Sequence, residues 1–116
     1  MSNNESIEPN EVPVDVTGMS NGTICDMVNQ AFLNDGRSTG KRDYYVGITN
    51  NIEENRNRHN VPHIAIYHCK DADTAAEVEE MLGDDFDIGD PLHRGNGGRP
   101  DSVYVYLCYK SSTFKY

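Results

Sequence analysis

No run of residues in this chain is long and apolar enough to cross a bilayer, and its first residues lack the basic-then-apolar pattern of a secretion signal. The cytoplasm is therefore the expected compartment, with no membrane partner. Cysteine is scarce as well: Cys25, Cys69 and Cys108 are odd in number, widely spaced and without a CxxC pair. That argues against a disulfide framework or a zinc site and for small buried thiols. Two segments have no base at all. Residues 1–22 hold four acids, and residues 71–90 hold nine, with not one Lys or Arg in either.

What is present fits one modest domain. The chain has 116 residues, is 36% hydrophobic and carries a formal net charge of -9. Such a charge opposes contact with a polyanion. Its distribution does not, because all ten Lys and Arg lie outside the two acid-only segments, against only six acids there. The acidic stretch 71–90 reads either as a solvated face or as a surface that imitates a nucleic-acid backbone toward a protein partner.

Residues 1–20 are rich in Asn, Ser, Glu and Pro, too polar to offset the entropy of ordering, and read as a flexible acidic tail ahead of a domain over 21–116. Within the tail, Val12-Pro13-Val14-Asp15-Val16 alternates and could add a weak edge strand. Thr23 opens an amphipathic helix on Ile24, Met27, Val28, Ala31 and Phe32, ended by Asp35-Gly36. Arg37 to Arg42 form a basic loop. Strands are expected at 43–48, 63–69 and 103–109. Helices are expected at about 51–59, with Asn50 as cap, and at about 74–83, with Asp73 or Thr74 as cap. Residues 87–101 form a long glycine-rich loop of the kind that is more often functional than idle. The class is α+β.

Glu79 stands out on the last helix. It lies four residues after Ala75 and three before Leu82, at the edge of the stripe formed by Ala75, Val78 and Leu82. A carboxylate there either reaches solvent or is held by an arginine, a hydroxyl or a metal ion.

The strand-to-helix corner Tyr44-Tyr45-Val46-Gly47-Ile48-Thr49-Asn50-Asn51-Ile52-Glu53 resembles the second signature element of the GIY-YIG nuclease superfamily. Ala75-Ala76-Glu77-Val78-Glu79 through Phe86 is similar to that family's glutamate helix. The resemblance covers roughly residues 43 to 109. It implies a small domain with a three-stranded, mainly antiparallel sheet flanked by about three helices, and Mg²⁺-dependent hydrolysis of phosphodiester bonds in DNA. By the same resemblance Glu79 takes the metal position and Tyr45 the tyrosine that orients or activates a water. Arg56 or Arg58 would steady the phosphate, since the family's arginine position falls at Asn55. Arg42, Tyr44, His59, Arg94, Asn96 and Arg99 would contact substrate. The family's first motif has Gly22-Thr23-Ile24-Cys25 as its only candidate, without the tyrosine and in a helical setting. Other readings of the same residues are a structural strand tyrosine at Tyr45 and a solvated helix end at Arg56 and Arg58. A non-catalytic binding module for DNA or protein, or a small acidic inhibitor of a nucleic-acid enzyme, are the competing functions.

Overall fold

A computed structural model describes residues 12–37, 39–88 and 101–116. Eight elements follow in order: β1 (Val14–Asp15), α1 (Asn21–Asn34), a 3₁₀ turn (Lys41–Asp43), β2 (Tyr44–Thr49), α2 (Ile52–His59), β3 (Ala65–His68), α3 (Ala72–Leu82) and β4 (Tyr104–Tyr109). The α+β class holds. The sheet differs from the expected three antiparallel strands: it has four, in the order β1-β3-β4-β2, and β1 runs parallel to β3. The cause lies in the segment expected to be a tail. Val16 is buried, and its N–H donates to the His68 carbonyl, so the middle of the alternating segment, Val14–Asp15, does become an edge strand. Residues 1–11 lie outside the described residues.

Strand alternation gives the sheet two different faces. Tyr44, Val46 and Ile48 of β2, with Tyr67, Val105 and Leu107, point to a face covered by α1 and α3, where Ile24, Val28, Ala75, Val78, Leu82 and Phe86 complete the main core. Tyr45 of β2, Ile66 of β3, and Tyr104, Tyr106 and Cys108 of β4 point to the other face, beneath α2, Val61 and Phe114. All three cysteines are buried, as their apolar settings predict, and none is in a disulfide among the described residues.

The caps move slightly from their expected places, for a local reason. Asn51 rather than Asn50 caps α2, its side chain accepting from the Glu54 N–H, because Thr49 and Asn51 bond each other in the preceding turn. Asp71 caps α3 two or three residues early, accepting from the Thr74 N–H. α2 ends at Asn60, which takes the left-handed conformation (φ 61°) that asparagine tolerates.

After α3 the chain turns back at Phe86 and lays Asp87 along the outer edge of β2. The Val46 N–H donates to the Asp87 carbonyl at 2.9 Å, and the Asp87 N–H to the Tyr44 carbonyl at 3.1 Å. That covers an edge strand that would otherwise offer unpaired backbone. No helix among the described residues is long and apolar enough to cross a membrane.

Candidate functional site

The corner after β2 is built around a missing side chain. Gly47 faces Tyr106 across the β2–β4 ladder, and a Cβ on Gly47 would lie 2.6 Å from the Tyr106 Cζ and closer still to its hydroxyl oxygen. Glycine lets the phenol lie across the strand and reach α2. There it meets Asn55 and His59, one helical turn apart on the inner side of α2.

The result is a buried chain of hydrogen bonds whose direction can be assigned. His59 Nδ1 lies 2.6 Å from the Lys115 carbonyl, which only accepts, so Nδ1 carries the proton. Neutral His59 then accepts at Nε2, and the Tyr106 hydroxyl, 2.8 Å away, donates to it. The Asn55 amide donates to the Tyr106 oxygen at 3.1 Å, and Asn55 Oδ1 accepts from His63 Nε2 at 3.1 Å. Asn55 is 3% exposed, and His59, His63 and Tyr106 are 1% exposed. Burial, aided by the charge of Arg58, lowers the His59 pKa, although the Lys115 carbonyl opposes this. Burial, His59 and Arg56 bring His63 to about 4. Burial raises Tyr106 well above the usual phenol range. At neutral pH every member is therefore uncharged, as a dry site requires.

Tyr45 lies beside this network, half-buried. Its ring is 5.1 Å from that of His59, 5.4 Å from Phe114 and 5.7 Å from Tyr116. Burial pushes its phenol to about 12; the Glu79 carboxylate adds to the rise, Arg58 opposes it, and Asp87 adds a smaller increment. The charges of Glu79 and Arg58 thus both reach the Tyr45 phenol. The three residues come from different sides: Tyr45 faces α2, whereas Glu79 belongs to α3 on the opposite face and is 7% exposed. Arg58 is exposed on α2.

The other expected residues are placed differently. Arg56 is exposed and lines an open groove with Asn57, Asn60, Val61 and Pro62. Tyr44 is fully buried on the α1/α3 face, where its hydroxyl donates to Asp35 at 2.6 Å, away from Tyr45. The Arg42 guanidinium donates to the carbonyls of Asp84 and Phe86 at 3.1 and 3.2 Å, bracing the turn after α3. Arg94, Asn96 and Arg99 lie outside the described residues.

Sequence reasoning singled out neither Tyr106 nor His63. Alternation marks Tyr106 as a strand residue on the Tyr45 face, but nothing local says that it will be opposite a glycine. That depends on the register of two strands nearly sixty residues apart. Among the described residues, no group of three or more His, Cys, Asp and Glu is placed to share a metal ion. Mg²⁺ commonly takes only one or two protein carboxylates and fills its shell with water and phosphate oxygens; Glu79 is a carboxylate of that kind, 7% exposed. Comparison with known protein families, with curated proteins and with solved structures finds no match for this chain.

Proposed function

We propose that this chain is a GIY-YIG-like nuclease domain that acts on phosphodiester bonds of DNA with Mg²⁺. The observation that supports the reading is that the charges of Glu79 on α3 and Arg58 on α2 both act on the Tyr45 phenol of β2. Glu79 would hold the Mg²⁺, which when bound supplies positive charge against the phosphate. Tyr45, with its phenol at about 12, keeps its proton at neutral pH. Its part is to donate a hydrogen bond to a water or a phosphate oxygen rather than to act as a base. Arg58 offers a guanidinium for charge on the phosphate. The family's first motif has no strand counterpart before Tyr45 among the described residues: its candidate, Gly22-Thr23-Ile24-Cys25, lies in α1, and the strand paired with β2 is β4.

The test is nicking of supercoiled plasmid. Cleavage that needs Mg²⁺ and is lost in Glu79→Ala upholds the enzyme. A second reading, a non-catalytic module for DNA or for a protein met through the acids of 71–90, has its own observation. Asn55 fills the position where the resemblance calls for an arginine, and its amide is already engaged by Tyr106 and His63. Salt-sensitive DNA binding without nicking favours that module. Failure to bind DNA, with a basic protein retained instead, favours its protein-binding form.

A further inference from the structure

We propose that residues 111–116 form a strap that gates Tyr45 and sets the tautomer of His59. The strap leaves β4 at Lys110 and turns back, with the Phe114 N–H donating to the Ser111 carbonyl at 3.0 Å. It then runs along the end of α2. The Lys115 N–H donates to the His59 carbonyl at 2.9 Å, while the Lys115 carbonyl takes the His59 Nδ1 proton at 2.6 Å. The Phe114 ring stacks on the His59 imidazole at 5.1 Å and 8°. Tyr116 sets its ring edge-on to Tyr45 and donates its hydroxyl to Asp87. The same Asp87 oxygen receives the Lys110 ammonium at 2.7 Å. Both ends of the strap therefore close on one carboxylate, which is itself pinned to the edge of β2.

Two consequences follow from this geometry. Phe114 and Tyr116 cover part of the Tyr45 ring, so a strand of nucleic acid gains full access to it only when the strap lifts. The Lys115 carbonyl is also what puts the His59 proton on Nδ1 and turns Nε2 toward Tyr106. Lifting the strap frees His59 to exchange tautomers, and with them the direction of the hydrogen-bond chain. The latch is exposed at its outer end, with Tyr116 at 62%, and its Lys110–Asp87 pair is the kind of contact a phosphate competes for. The charges of Glu79, Arg58 and Asp87 all act on the gated phenol.

The gating of DNA rests on the function proposed above, but the strap itself can be read without it. Full-length protein labelled with ¹³Cζ-tyrosine and ¹⁵N-histidine is titrated as wild type, Phe114→Ala and Tyr116→Ala. Tyr116→Ala removes an exposed ring and keeps the test alive if Phe114→Ala fails to fold. The Tyr45 midpoint is expected to fall from about 12 by at least one pH unit. The His59 signals are expected to pass from a single Nδ1-protonated form to a mixture, with Phe114→Tyr restoring the wild-type pattern. An unmoved Tyr45 and an unmoved His59 in the folded variants overturn the strap. Binding of a 20-base-pair DNA duplex, measured alongside, is expected to tighten severalfold in Tyr116→Ala. If Tyr45 and His59 respond but neither protein binds DNA, the strap stands and the nucleic-acid reading falls.

Discussion

Replacing Gly47 with alanine tests whether Tyr106 organises the second face. A backbone argument alone predicts a gain, because glycine within a strand costs about 0.5–1 kcal/mol relative to alanine, and Gly47 does not have the positive φ that would forbid a side chain. Packing predicts the reverse. The new methyl would sit 2.6 Å from Tyr106 Cζ and 3.0 Å from Cε2, inside a buried site closed by the backbone of β2. Overpacking of this kind costs about 1–3 kcal/mol. A displaced phenol also gives up its bonds to Asn55 and His59, and each buried group left without its partner adds about 1–3 kcal/mol. Packing therefore wins, and the expected net loss is about 3 kcal/mol, a large part of the roughly 5–15 kcal/mol that holds a small domain together. Urea unfolding followed by far-ultraviolet circular dichroism measures it as a lower midpoint at unchanged slope. The decisive control repeats the substitution in a Tyr106→Leu background. There the ring is gone, and the cost of Gly47→Ala should shrink by at least 1 kcal/mol, a coupling typical of residues in contact. Wild-type stability in the single variant, or a cost that persists undiminished without the ring, would mean that Tyr106 does not organise this face.

Three further outcomes follow from the same network. His63 has a folded pKa of about 4, below the unfolded value near 6.5. The unfolded chain therefore binds the proton first, and the contribution is complete above pH 6.5 and is lost as pH falls toward 4. The full shift corresponds to roughly 3 kcal/mol, and urea midpoints between pH 7 and 4.5 should show a slope that flattens in His63→Gln. Tyr106→Phe keeps the ring and removes only the hydroxyl, leaving the Asn55 amide and His59 Nε2 without it; a loss of about 2 kcal/mol is expected by the same unfolding assay. Lys110→Met breaks the partly buried ion pair with Asp87 and should leave the fold intact at a cost near 1 kcal/mol. It should also quicken hydrogen exchange at the Lys115 amide, which depends on the strap being closed.

Much of the fold was legible because it follows from local pattern. The 3.6-residue spacing of Ile24, Met27, Val28, Ala31 and Phe32 specified α1, and aromatic or branched runs marked β2, β3 and β4 within a residue or two. Counting from Ala75 and Leu82 placed Glu79 at the border of a buried stripe, and the structure buries it with that stripe, at 7% exposed. What escaped was non-local. The alternation of Val12 to Val16 suggested an edge strand at β1, but its partner, β3, and its parallel direction depend on a pairing more than fifty residues away. Tyr44 and Tyr45 are adjacent and chemically identical, so sequence grouped them at one site; the pleat sends them to opposite faces, one into the core and one to α2. Arg42 was expected to meet substrate as part of a basic loop, but two main-chain carbonyls at the end of α3 take its donors.

The second face is set apart by how α2 is attached. An eight-residue helix with an apolar stripe would dock by burying it, yet the buried residues of α2 are Asn55 and His59, with only Ile52 partly covered. Hydrophobic contact is indifferent to small rotations of a helix, whereas directed hydrogen bonds to Tyr106, His63 and the Lys115 carbonyl fix its rotation and its height along the sheet. That rigidity has a local cost, since four polar side chains must be kept dry and uncharged to maintain it. A domain that needed only stability would be served better by leucines at positions 55 and 59. Holding α2 in this way fixes the direction in which Arg58 projects and the edge of His59 that meets Tyr45. If Asn55→Leu combined with His59→Leu and Tyr106→Phe gives a protein at least as stable as the wild type, the polar chain serves to position these groups. If the triple variant is less stable by several kcal/mol, the chain is structural and the case for a site on this face weakens accordingly.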